Sequence, residues 1–440
     1  MHRRLFARLL ATGAGSLPLL SLTGASGLAG EAAETKTPQA AAGGTLPAEE
    51  NSAGGNRSRP AGSRESSRRK PRIESLDDVV NVDDMRKLAG STVPRPTYEY
   101  ITTGSEDGLT LRANVAAFRQ VQLMPPLLHG VAEPDLSTTV LGQKLSLPIL
   151  LAPVAAQRMF HPEGGLAAAR AAARAGTIFG VSSSVGHSVE QVAAASAGPK
   201  WYQLYLPRDK TVARQLVERV ERAGYKALVV TVDLGERKDS DRRNRFTLPR
   251  PLMLEHLQNI GFPGINENMT DEELIAFNSS AWEPALTWEV FAWLRKITRL
   301  PLLIKGVLSV ADARRAVDQG VDGIVVSNHG GRRLDGVPAS LDCLPAIAAA
   351  VGSQTEILVD SGIRRGGDAL KAIALGAKAV LVGRPYAWGL CAGGEAGVSH
   401  VLELLRGELT NAMLACGCQR VTDISADLLH RAPGPTGFRG

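Results

Sequence analysis

Eight short apolar runs, each followed by a helix-like stretch, constrain this chain more than any other feature. They span residues 148–153, 177–182, 201–206, 227–233, 302–307, 323–328, 356–361 and 379–384. They are apolar almost throughout rather than at alternate positions, which is the pattern of strands buried on both faces. Alanine-rich or amphipathic segments lie between them, as at 164–175, 210–223, 310–320 and 366–376. Eight such units predict a parallel (β/α)8 barrel of the TIM type, with its core at about 148–400. A doubly wound open sheet is the rival architecture. The number of units weighs against it, as does the lack of Gly-x-Gly-x-x-Gly after the first run. Residues 73–147 predict a helical cap ahead of the barrel. The long stretch 234–300, between the fourth and fifth strands, predicts a lid or loop excursion.

The segment before the cap has a different character. Residues 1–30 begin basic, with Arg3, Arg4 and Arg8, and continue through a charge-free stretch of small and apolar residues. This predicts an export signal, and Arg3-Arg4-Leu5-Phe6 resembles a twin-arginine signal for delivery of a folded protein to the periplasm. A cytoplasmic or mitochondrial location is the alternative. Residues 31–72 hold too few large apolar groups to bury a core and predict a disordered linker to a folded domain at 73–440. Residues 1–72 carry 11 Lys and Arg against 5 Asp and Glu, which accounts for the whole net charge of +6. The remainder is neutral, so its charge gives no reason to expect a nucleic-acid partner. The four cysteines, Cys343, Cys391, Cys416 and Cys418, show neither metal-site spacing nor a disulfide framework, and read as thiols. No metal site is expected.

In a (β/α)8 barrel the chemistry sits at the carboxyl ends of the strands. The third run offers Gln203 and Tyr205 there and the fourth Thr231 and Asp233, each pair two apart and so on one face. The fifth offers Lys305, the sixth Ser327 and His329, the seventh Asp360, and the eighth Gly383 and Arg384. Such residues are seldom placed inside a barrel without a partner or a ligand. The sixth run leads into Ser327-Asn328-His329-Gly330-Gly331-Arg332-Arg333-Leu334-Asp335. Its two glycines allow a sharp turn, its histidine can take a proton near neutral pH, and an arginine fork suits a carboxylate. Together they point to chemistry on a small organic acid. The stretch Asp360-Ser361-Gly362-Ile363-Arg364-Arg365-Gly366-Gly367, with Gly383 and Arg384, suggests a phosphate site after the last two strands.

These residues resemble the FMN-dependent 2-hydroxy acid oxidase and dehydrogenase family, over about residues 76–424. The resemblance rests on the motif at Ser327 and on Ala152-Pro153-Val154-Ala155-Ala156, Tyr202-Gln203-Leu204-Tyr205 and Gly394-Glu395-Ala396-Gly397. It implies oxidation of a small (S)-2-hydroxy acid, with oxygen or another acceptor taking the electrons onward, and a homo-oligomer, often a tetramer. It implies His329 as base, held by Asp233, with Arg332 and Tyr100 on the substrate carboxylate and Tyr205 on its hydroxyl. Lys305 would face flavin N1 and O2. Pro153, Val154 and Ala155 would run past the flavin ring, and Ser182, Gln203, Thr231 and Ser327 would hydrogen-bond it. Asp360, Ser361, Gly362, Ile363, Arg364, Gly383 and Arg384 would hold the ribityl chain and phosphate. Arg333 is expected to face solvent.

The alternatives are another FMN barrel enzyme, of isomerase or nucleotide-dehydrogenase type, or a flavin binder without catalysis. The paired His329 and Arg332 weigh against the first and the intact polar set against the second. There are departures from the family pattern. Val154 stands where threonine is frequent, Ser184 where glycolate oxidase has a bulky aromatic, and Ile101 where it has a second tyrosine. These changes predict tolerance of a larger or less polar substrate side chain. The segment after Asp233 is about two residues short, so the family's second carboxylate-facing arginine falls on Arg237 or Lys238.

Overall fold

The two-residue period of a strand carries alternate residues to opposite faces, and in this chain both faces are apolar. A computed structural model describes residues 73–233 and 248–431. Helices α1 (Val82–Thr92), α2 (Arg95–Thr102) and α3 (Leu109–Gln120) come first, then β1 (Val121–Leu123) and a hairpin of β2 (Thr138–Val140) and β3 (Gln143–Leu145). The first four barrel strands are β4 (Ile149–Leu151), β5 (Phe179–Ser182), β6 (Lys200–Leu204) and β7 (Ala227–Thr231), separated by α4 (Gly164–Arg174), α5 (Val189–Ala194) and α6 (Lys210–Arg222). Next come α7 (Arg250–Ile260), α8 (Asp271–Ser280) and α9 (Glu289–Arg295). The barrel is completed by β8 (Leu302–Val307), α10 (Val310–Asp318), β9 (Gly323–Val326), α11 (Ser340–Val351), β10 (Glu356–Asp360), α12 (Gly366–Ala374), β11 (Ala379–Val382) and α13 (Arg384–Ala415). Strand β12 (Leu429–Arg431) returns to pair antiparallel with β1.

Strands β4 to β11 close into one barrel of parallel neighbours, β11 pairing with β4 and β9 with β10. The outer helices follow from their apolar stripes. In α6, Val212, Ala213, Leu216, Val217 and Val220 are buried, and Asp209 caps the first turn by accepting from Thr211 N and Val212 N.

Strand parity divides the barrel wall into two cores. Leu228, Val230, Ile304 and Ile324 face the helices in the larger one. Leu150, Ile178, Trp201, Ala227, Val229, Leu303, Val325, Leu358 and Leu381 fill the barrel interior. Val140 and Leu145 of the β2–β3 hairpin belong to the interior core and close its amino-terminal end. The hairpin turn puts both Leu141 and Gly142 at positive φ, 44° and 74°, the geometry that matches strand twist. The Glu356 carboxylate accepts from Leu141 N at 2.9 Å and holds the hairpin to the base of β10.

Two expectations change. The segment at 73–147 is helical only to Gln120. An apolar barrel interior needs a cover, and residues 138–145 supply it as a hairpin. The stretch expected as a lid or loop at 234–300 contains three helices among its described residues. Six of the eight predicted strands also run one or two residues past the observed ends, so Tyr205, Asp233 and Ser327 lie just beyond their ladders.

Candidate active site

The inward parity of the barrel does not stop where the apolar layer stops. On β6 it runs Trp201, Gln203, Tyr205, and on β7 Ala227, Val229, Thr231, Asp233. On β8 it runs Leu303, Lys305, on β9 Val325, Ser327, and on β10 Leu358, Asp360. Gln203, Thr231, Lys305, Ser327 and Asp360 are all buried. A cavity of about 750 Å³ opens above them, lined among others by Tyr100, Pro153, Val154, Ala155, Ser182, Tyr205, Thr231, Lys305, His329 and Arg332, and by Asp360 to Arg364 with Gly383 and Arg384. Asp233, Gln203 and Ser327 stand behind that lining. Ile101, Val154 and Ser184, the three departures noted above, all face the cavity. Arg237 and Lys238 lie outside the described residues.

His329 Nδ1 is 2.8 Å from Asp233 Oδ1, so the carboxylate fixes the proton on Nδ1 and leaves Nε2 as the available base. Burial pushes the imidazole down to about 4; Asp233 opposes this, and Lys305 and Arg333 reinforce it. Burial alone would raise the Asp233 carboxyl, but His329, Lys305 and Arg333 together hold it below its ordinary value. Lys305 Nζ donates to Ser327 Oγ at 2.8 Å and lies 3.1 Å from Asp360 Oδ2. Its burial disfavours the charge, yet Asp360 and Asp233 keep the ammonium above its ordinary pKa. A fixed cation is therefore buried beside a neutral base.

The turn carrying His329 is held by the rest of its motif. His329, Gly330 and Gly331 are all left-handed, with φ of 59°, 67° and 69°. A non-glycine residue pays about 1 kcal/mol or more for that conformation, offset here by the contacts it makes. A Cβ on Gly330 would meet Arg384 Nη1 at 2.6 Å, and one on Gly331 would meet Leu111 N at 2.6 Å. The side-chain amides of Asn328 and Asn114 bond each other reciprocally at 2.8 Å, and Asp335 accepts from Leu109 N and Thr110 N at the start of α3. These anchors of the motif tie the barrel to the amino-terminal helices, while Gly330 N donates to Ser361 Oγ within the barrel rim. Arg332 Nη1 donates to the Tyr100 carbonyl, and its guanidinium lies 4.6 Å above the Tyr100 ring.

Gly306 was not read from sequence. At φ 118° it makes a bulge in β8, and a Cβ there would meet Asp233 Cβ at 2.7 Å. Arg333 contradicts its expected place in solvent. It lines the cavity, donates from Nη2 to Tyr205 Oη at 3.0 Å, and sits 5.9 Å from that ring. The turn lets two consecutive arginines both reach the cavity, one toward Tyr100 and one toward Tyr205. Sequence reading also passed over His256, Trp282 and Met253, which come from the excursion after β7 and line the far wall.

Two needs of the cavity are unmet among the described residues. Gln203 Oε1 accepts from Ser182 Oγ at 3.1 Å, which leaves Gln203 Nε2 buried without a partner, and Thr231 Oγ1 is also buried and unpartnered. Arg332, Arg364 and Arg384 form a cation group with no carboxylate within ion-pair distance among the described residues. Burial pushes Arg384 well below its ordinary pKa, with Arg332 and Arg364 adding to the effect, and burial brings Arg364 to about 10. The site thus suits a multiply charged anion on one side and a hydrogen-bonding ring or chain at its floor. Among the described residues no cluster of His, Cys, Asp and Glu fits a metal ion, and all four cysteines are free thiols.

Fold and site together define a (β/α)8 barrel with a polar, arginine-rich cavity at the carboxyl ends of its strands. Residues 89–431 match the model of the FMN-dependent dehydrogenase family. The chain is 46% identical to an L-lactate oxidase of Nostoc sp., over 81% of this chain and all of that one. It is 45% identical to the human 2-hydroxyacid oxidase 1, over 81% of this chain and 98% of that one. Among solved structures, a mandelate oxidase variant with (S)-mandelic acid matches at 40% identity with a TM-score of 0.72, over 81% of this chain and all of that one. The chain belongs to the FMN-dependent dehydrogenase family and is an FMN-dependent oxidoreductase. FMN fits both unmet needs, with a phosphate for the arginine group and a ring system with hydrogen-bonding edges for Gln203 and Thr231.

Proposed function

We propose that the protein oxidises a small (S)-2-hydroxy acid to the 2-oxo acid. The observation that carries this reading is the His329–Asp233 pair, set in the same cavity as the Arg332–Tyr100 pair and the buried Lys305. Bound FMN supplies a two-electron acceptor. Arg364, Arg384 and Gly383 would hold its phosphate, Asp360 to Ile363 the ribityl chain, and Pro153 to Ala155 with Ser182, Gln203, Thr231 and Ser327 the ring, which Lys305 would serve as a fixed positive charge.

The substrate carboxylate binds Arg332, oriented by Tyr100, and this turns the α-carbon toward the cavity floor. Tyr205 hydrogen-bonds the substrate hydroxyl. His329 Nε2 takes a proton from the substrate, and Asp233 stabilises the imidazolium that results. Two protons and two electrons leave the substrate as its C–O bond becomes a carbonyl; His329 takes one proton, and the two electrons with the other would go to bound FMN. Burial, with the cations of Lys305 and Arg333 nearby, keeps His329 neutral before the reaction, so it is available as a base at neutral pH.

The small Ser184 and apolar Ile101 at the cavity wall support a substrate side chain larger than that of glycolate. The test is anaerobic bleaching of the bound flavin by a panel running from glycolate to longer and aromatic 2-hydroxy acids. Bleaching fastest with the larger members is the expected result, and a strict preference for glycolate would overturn the side-chain reading. Admitting air then identifies the acceptor: prompt recolouring with peroxide marks an oxidase, slow recolouring another electron acceptor. The proposal extends to assembly and location, with a homo-tetramer in solution and export of the folded protein directed by residues 1–30. Light scattering and cell fractionation check these two points.

A further inference from the structure

Helix α7 turns one side to the barrel core and another to the cavity. Leu257 and Ile260 are buried in the core, whereas Met253 and His256, three residues apart and so neighbours on the helix surface, line the cavity. His256 is only 5% exposed, and its ring nitrogens make no hydrogen bond among the described residues. Its ring stacks on Trp282 at 6.0 Å and 19°. Trp282 in turn meets the Tyr205 ring edge-on at 6.4 Å and 72°. A continuous aromatic wall therefore leads from Tyr205, beside the reacting centre, to a buried histidine that lines the cavity and whose ring nitrogens have no partner among the described residues.

We propose that His256 is a specificity residue that hydrogen-bonds an uncharged polar group at the far end of the substrate side chain. The substrate is then a 2-hydroxy acid whose side chain is a ring, or a body of similar size, ending in a hydroxyl or comparable group. This rests on the 2-hydroxy acid reading given above. A buried polar group seldom goes unpaired, and one that faces a ligand cavity finds its partner in the ligand. Trp282 and Tyr205 offer flat apolar surface to the body of the side chain. Burial pushes the His256 imidazole down to about 4. It is thus neutral over the working range, with one donor and one acceptor, which matches a hydroxyl and not a carboxylate or an ammonium.

The test uses pairs of substrates that differ by one hydroxyl: mandelate with 4-hydroxymandelate, and 3-phenyllactate with 3-(4-hydroxyphenyl)lactate. With the full-length FMN-loaded protein, the hydroxyl is expected to raise kcat/KM by about 10- to 100-fold in at least one pair. In His256→Phe that ratio falls to near one, and His256→Gln, which keeps a donor and an acceptor, restores part of it. A purely structural histidine would lower both members of a pair equally and leave the ratio unchanged. That result, or a ratio near one in the unaltered protein, overturns the proposal. If His256→Phe fails to retain flavin, the ratios in the unaltered protein and His256→Gln decide. Bleaching by no 2-hydroxy acid at all would instead remove the functional reading on which this one rests.

Discussion

The two ends of the barrel interior are built from the same strands and do opposite things. At the amino-terminal end the inward residues are Trp201, Val229, Leu303, Val325 and Leu358, sealed by Val140 and Leu145 of the hairpin. Two residues further along the same inward rows stand Gln203, Thr231, Lys305, Ser327 and Asp360, four of them at 0–3% exposure and Asp360 at 6%. Burial is equal at the two ends, and chemistry is not. The lower layer is satisfied by itself, so its side chains contribute transfer and packing energy. The upper layer is satisfied only in part by itself, and what it lacks corresponds to the cofactor. Depth alone therefore does not separate core from site. The separation comes from whether the buried polar atoms have partners.

Substitutions in different layers of the barrel should separate stability from chemistry. The largest effect expected is from Trp201→Ala, which removes a fully buried side chain from the lower layer and should cost about 3–5 kcal/mol. Denaturant titration measures this, and the rate of flavin bleaching per folded molecule should stay within about twofold. A collapse of the bleaching rate in folded Trp201→Ala would erase the distinction between the layers. Just past the end of β7, Asp233→Asn should do the reverse. Loss of the charge that supports His329 should slow bleaching by about 100-fold or more with little change in unfolding. Gly306→Ala tests the junction. A methyl group there is strained at φ 118° and presses on Asp233, so a cost of about 1–3 kcal/mol should appear together with slower bleaching. Stability loss without slower bleaching would show that Gly306 serves only the bulge.

The smallest effect expected concerns pH. His329, held near 4, is neutral above that value and is lost as a base when pH falls through it. kcat/KM should therefore be level near neutrality and decline only in acid. Arg333 is one of the cations disfavouring the imidazolium. Arg333→Gln should raise the His329 pKa and move the acid limb to higher pH, by less than about one unit. A shift toward lower pH would contradict the sign of this coupling.

The polar rows were legible in sequence because a strand has a fixed period. Gln203 with Tyr205, and Thr231 with Asp233, share a face by spacing alone, and the structure places both pairs inward. Arg333 was not legible. Three left-handed residues precede the Arg332–Arg333 pair, and beyond such a turn no period says which way consecutive side chains point. His256 and Trp282 were hidden for a related reason: they come from the excursion after β7, His256 on α7 and Trp282 just past α8, where strand-end logic does not apply. Gly306 left no signal beyond an ordinary glycine in a strand, because its need arises only from how close Asp233 passes. The hairpin at 138–145 was hidden because its strands are three residues each, too short to show alternation.

The central claim is that His329, made available by Asp233 and kept neutral by its surroundings, is the base for oxidation of a 2-hydroxy acid. The most direct test is anaerobic stopped-flow bleaching of purified His329→Gln, loaded with FMN, against the best substrate of the unaltered protein. The account predicts a yellow protein with normal flavin content, unchanged unfolding and bleaching slowed by about 100- to 10,000-fold. Bleaching at the unaltered rate in a fully loaded protein would contradict it.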